Sequence, residues 1–174
     1  MKQFLFAVAG LFAFANVNAQ TTGTVKLNVK LNPIQTIVVN GMEDVDLNYT
    51  SKDDYLNGVS SKKENQLTVY STGSYEVRVT SNAATISSGT KTMDVSSIQV
   101  IPTPGTAGQA DATYTPQFLS GNEQTLVKSA AGGVNKQITI EYKAAGSDKY
   151  IDNYIAGQTP TVYTANLTYS IVSK

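Results

Sequence analysis

The chain has 174 residues, thirteen basic and thirteen acidic, and no Cys, His or Trp. That length suits one domain with a core of useful size, and the missing residue types exclude disulfides, thiolate nucleophiles, Cys-ligated zinc, imidazole bases and Ser-His-Asp triads. With only 15 % of residues charged, the composition also argues against a basic face for nucleic acid.

Residues 1–19 read as a secretory signal peptide. Lys2 supplies the positive start, residues 4–15 the apolar centre, and Val17-Asn18-Ala19 the small residues before a cleavage site. The apolar run is shorter than the roughly 20 residues that span a bilayer. Residues 20–174 are then expected to be one exported domain, in the periplasm, at the cell surface or outside the cell. No later apolar stretch approaches membrane length, so no membrane span is expected there. Of the five Phe, only Phe118 lies beyond the leader, whereas all ten Tyr do.

The rest of the chain has a period of two. Residues 24–32 alternate without a break: Val25, Leu27, Val29 and Leu31 share one face, and Lys26, Asn28 and Lys30 the other. This predicts a half-buried strand. Pro33 interrupts it, residues 34–39 resume it, and Asn40-Gly41 signals a turn. Val45, Leu47 and Tyr49 alternate again, and residues 51–58 read as a polar loop. Residues 67–70 and 75–80 flank Ser71-Thr72-Gly73-Ser74, which predicts a hairpin. Further strands are expected at 93–101, 114–119, 124–127, 137–142 and 162–172, mostly separated by Gly-containing breaks. Residues 102–113 hold two Pro and two Gly and read as a long loop. No window carries a helical stripe. Nine or ten short strands with polar turns predict an all-β, two-sheet β-sandwich, with a closed barrel as the alternative.

The first strand has two readings. It pairs within its own domain, or it detaches and completes a neighbour's sheet, where alternate side chains fill the receiving core. Val25, Leu27, Val29 and Leu31 are the candidate strand-exchange interface.

The leader, the alternating first strand and the Cys-free β-rich body together resemble fimbrial subunits. The segment Tyr163-Thr164-Ala165-Asn166-Leu167-Thr168-Tyr169-Ser170-Ile171 is similar to the last strand of pilin-like and spore-coat-U-like domains. Lys149-Tyr150-Ile151-Asp152-Asn153-Tyr154-Ile155-Ala156-Gly157 is similar to the loop before it. The resemblance extends to an uncharacterised family of secreted bacterial β-sandwich domains. It implies an immunoglobulin-like sandwich and assembly by donor-strand exchange. Many pilins of this kind carry a disulfide, and this chain has none.

Other candidate sites are weaker. Acids cluster at Glu43-Asp44 with Asp46, at Asp53-Asp54, and at Asp148 with Asp152, but none has calcium-loop spacing. Ser60-Ser61-Lys62-Lys63 is a Ser-x-x-Lys and reads as a solvated turn. Ala131-Gly132-Gly133-Val134 lacks the Lys and hydroxyl ending of a phosphate loop. Tyr55, Tyr114, Tyr150 and Tyr154 sit in or near polar segments and are candidate partner contacts by stacking. No catalytic residue, metal or cofactor is expected. The function expected is a secreted or surface structural subunit, pilin-like or adhesin-like, with proteins or copies of itself as partners. The alternative is a monomeric extracellular module that binds a glycan or a protein.

Overall fold

The computed structural model describes residues 22–41 and 43–174, and the signal-peptide reading of residues 1–19 lies outside them. The chain divides into two units, Met1–Leu31 and Asn32–Lys174. The second is an all-β sandwich.

Its strands are β1 (Gln35–Val39), β2 (Val59–Ser71), β3 (Tyr75–Ser81), β4 (Thr85–Ser88), β5 (Lys91–Asp94), β6 (Ile98–Pro104), β7 (Thr113–Tyr114), β8 (Gln117–Phe118), β9 (Gln124–Ser129), β10 (Gly133–Ala144) and β11 (Leu167–Ser173). A larger sheet runs β1-β2-β10-β6-β8 and a smaller one β11-β3-β9-β7, with β4-β5 as a separate ribbon. All pairings are antiparallel.

The core lies between the two sheets. Leu67, Val69, Ile138, Ile140 and Val100 come from the larger sheet, and Val77, Val79, Leu126 and Val127 from the smaller. Each is at most 1 % exposed. Apart from the adjacent Leu126 and Val127, where the β3–β9 register shifts, these residues alternate along their strands, so one face of each sheet is apolar and the two faces bury each other. Burying side chains of this size stabilises the fold by about 1.5–3 kcal/mol each.

Several segments differ from the sequence expectation: the strand expected at 162–172 begins only at Leu167, and that expected at 114–119 is split between β7 and β8 in different sheets. Residues 67–70 and 75–80 do not form a hairpin: β2 and β3 belong to different sheets, and Ser71–Ser74 carries the chain across the sandwich. Ser71 holds that corner, its hydroxyl donating to the Gly73 carbonyl at 2.7 Å. The loop expected at 51–58 contains a one-turn helix, α1 (Lys52–Asn57). Ser51 accepts from the Asp54 amide at 3.2 Å, and the Asp54 carboxylate accepts from the Ser51 amide at 2.7 Å. This reciprocal cap satisfies backbone donors at the helix start. The expected strand at 93–101 is broken by a 3-10 turn at Val95–Ser97, between β5 and β6. Ser60-Ser61-Lys62-Lys63 lies within strand β2, not in a turn.

The first unit also differs. Residues 22–31 form no strand, and every one of them is exposed. Val25 is 90 %, Leu27 86 %, Val29 77 % and Leu31 88 % exposed. The alternation is present in the sequence, but these residues form no strand.

Candidate functional site

The sequence-predicted interface residues Val25, Leu27, Val29 and Leu31 therefore present an apolar row to solvent. Single exposed aliphatic residues are ordinary, whereas a contiguous row is a feature of interaction surfaces.

The larger sheet of the second unit is incompletely paired along one edge. β2 pairs with β10 from Val59 to Ser71. On its other side β1 covers only Leu67 to Ser71. A bulge ends that coverage. Ile138 faces Leu67 and Ile140 faces Lys63, so β2 carries extra residues between them. Asn65, at the bulge, has a φ of 52°. Asn and Gly tolerate that left-handed conformation better than other residues. The Asn65 amide donates to Thr139 Oγ1 at 3.0 Å, and its side-chain oxygen accepts from the Thr106 amide at 2.8 Å. Asn40 closes the other flank. Its amide donates to the Gln66 carbonyl at 2.6 Å, and its side chain donates to the Asn65 carbonyl at 2.7 Å. Gly41 then turns the chain at a φ of 64°. From this point no strand covers residues 59–63 of β2 on that side, among the described residues.

Residues 43–49 continue from Gly41 with alternate burial. Val45 and Leu47 pack on the core. Yet the backbone of residues 43–49 makes no backbone–backbone hydrogen bond among the described residues. A cleft of about 260 Å³ opens between Asn40, Gly41 and Glu43 on one wall and Lys62, Lys63, Glu64 and Gln66 on the other. At the far end Tyr49 donates to the Ala145 carbonyl at 2.6 Å. The Tyr49 ring centroid lies 5.2 Å from that of Tyr55 and 5.2 Å from that of Tyr150. Burial, with Tyr150 nearby, pushes the Tyr49 hydroxyl well above the usual tyrosine range, so it stays a donor at neutral pH.

Of the four candidate contact tyrosines, Tyr55 and Tyr150 both pack against Tyr49, and the four do not form one cluster. Tyr150 is buried, donating to Ser97 Oγ at 2.6 Å. Tyr114 is half-buried and donates to the Gln109 carbonyl at 3.3 Å. Tyr55 is half-buried against Tyr49. Tyr154 is 53 % exposed. A second shallow cleft, of about 430 Å³, lies beside Phe118, Gln117 and Val95. Among the described residues, no group of three or more acids is placed to hold a metal ion. No helix there is long and apolar enough to cross a membrane.

At the opposite end of the sandwich edge the chain terminus is pinned. Glu76 accepts from Lys174 Nζ at 2.6 Å and from Arg78 at 2.9 Å. Lys174 and Arg78 together hold the Glu76 carboxyl down to about 2, from an ordinary 4.5. Ser74 Oγ donates to the Lys174 carbonyl at 2.6 Å. Sequence alone missed this cluster. Glu76 and Arg78 share a strand face at i, i+2, which was legible, but Lys174 reaches them only through the β3–β11 pairing.

No protein-family model matches this chain, and no curated protein matches it significantly.

Proposed function

We propose that the chain is an exported structural subunit, pilin-like or adhesin-like, that associates with copies of itself by strand addition. One observation carries the reading: a segment with the alternation of a sandwich strand keeps its four apolar side chains in water. Four side chains of this size gain about 1.5–3 kcal/mol each on full burial, which favours a receiving core over solvent. The absence of Cys and His from the whole sequence agrees with a scaffold role. The leader agrees with export.

Size-exclusion chromatography with light scattering tests the reading over a rising concentration series. The intact protein should form oligomers, and a variant lacking residues 22–31 should stay monomeric with an unchanged circular dichroism spectrum. An intact protein that remains monomeric at millimolar concentration overturns it.

A further inference from the structure

We infer that residues 22–31 of one copy pair with the free edge of β2, residues 59–63, in a second copy, and that the acidic stretch 43–46 guides them there. This rests on the strand-addition reading and adds the acceptor.

The first argument is the backbone. An uncovered strand edge leaves every second residue with an unpaired N–H and C=O pointing outward. Below its bulge β2 has no hydrogen-bonded strand on that side among the described residues, although residues 43–49 pass along it without backbone hydrogen bonds, from Glu43 beside Lys62 to Tyr49 beside Ala145, and residues 22–31 form no strand. The other edges fit less well. β7 and β8 are two residues long, too short to face even two alternating side chains. β11 lies beside β1, tied by Ser173 Oγ donating to Gln35 Oε1 at 2.9 Å.

The second argument is charge. The polar face of residues 22–31 carries Lys26 and Lys30, and the segment has no acid. Residues 43–49 carry Glu43, Asp44 and Asp46 and no base. Asp44 and Asp46 lie on the exposed face, alternating with Val45 and Leu47, which pack inward. A donor with its apolar row inward turns Lys26 and Lys30 to the same outer face. Lys62 of β2 does not oppose it, because Glu64 pairs with Lys62 at 2.8 Å.

The third argument is reach, and it favours a second copy. Leu31 stands four residues before Gln35, and Gln35 pairs with Ser71, at the far end of β2 from the free edge. Four extended residues span about 14 Å, whereas Lys63 lies roughly 20 Å from Ser71 along the sheet. A second molecule is free of that tether, and the five edge residues can face three alternate apolar positions, such as Val25, Leu27 and Val29.

Introduced cysteines test the acceptor cleanly, since the full chain has none of its own. Asn28→Cys protein is mixed under mild oxidation with Lys62→Cys protein, and in parallel with Thr168→Cys protein, which reports on β11. Ser60→Cys and Glu64→Cys cover two-residue shifts of register. Mixed disulfide dimers should form with at least one of the β2 variants at about ten times the yield seen with Thr168→Cys. Oligomers that cross-link to Thr168→Cys at equal or higher yield overturn the acceptor while leaving strand addition standing. An absence of both oligomers and cross-links overturns both. Reversing Lys26 and Lys30 to Glu should weaken association about tenfold at low salt, and Asp44→Lys with Asp46→Lys in the receiving copy should restore it. If the reversed acceptor does not restore it, the guiding role of residues 43–46 is wrong.

Discussion

The strand that ends the chain, β11, and the segment that precedes β1 alternate equally well, yet one is built into a sheet and the other is in water. Leu167, Tyr169 and Ile171 pack on the core, and all seven residues of β11 face a partner on β3. Tyr169 is fixed further at its hydroxyl, 2.6 Å from that of Tyr142. Tyr142 in turn donates to Gln66 Oε1 at 2.9 Å, so Tyr169 is the donor of that pair. Val25, Leu27, Val29 and Leu31 have no such surroundings. Alternation thus equips a segment to be a strand, and an available edge decides whether it becomes one.

Removing each segment in turn is the most severe test of that contrast. Deleting residues 167–174 should abolish cooperative unfolding, read by thermal circular dichroism, because it strips one edge of the smaller sheet and three core-packing side chains. Deleting residues 22–31 should leave the melting temperature of the dilute monomer unchanged. Single substitutions sharpen it. Ile171→Ala should cost about 1–3 kcal/mol in urea unfolding, less than a fully buried site because Ile171 is only half-buried. Leu27→Ala should stay within about 0.5 kcal/mol at concentrations where the protein is monomeric.

The pinned terminus adds a pH dependence. Glu76 is held at about 2 in the folded protein, against 4.5 in an unreacted carboxyl. A carboxyl with a lowered folded pKa stabilises fully above its unfolded value and loses that contribution as pH falls towards the folded one. The melting temperature should therefore decline between about pH 4.5 and pH 2, and Glu76→Gln should flatten that decline. An equal slope in the variant would remove Glu76 as its source. The smallest expected effect is at the helix cap. Ser51→Ala should cost about 1 kcal/mol or less in the same unfolding measurement.

Much of the architecture was legible because burial between two sheets imposes a period of two. Val69, Val77, Val79, Ile138 and Ile140 all sit where alternation puts them. The β2–β3 connection was misread because a four-residue polar turn looks the same whether it closes a hairpin or crosses between sheets. Which occurs depends on β10 and β9, the remote strands that β2 and β3 pair with instead. The apolar row of residues 25–31 was equally legible, but its lack of a partner was not. The free edge of β2 arises from the Asn65 bulge, held by Thr106 and Thr139 far along the chain. Asn40-Gly41 marked the end of β1 correctly, but nothing local said that the neighbouring strand would run on uncovered.

The pairing of β1 with β2 has a mechanical consequence. Five consecutive residues, Gln35 to Val39, face Ser71 to Leu67 in unbroken antiparallel register. The chain leaves this ladder at Gln35, one end of the long axis of the larger sheet, while the uncovered part of β2 lies towards the other. Tension applied through residues 22–31 and resisted at that uncovered part runs along the strands, so the rungs between β1 and β2 are loaded together in shear and are not unzipped one by one. A row of molecules joined in this way would carry traction along its length through the β1–β2 rungs of each sandwich.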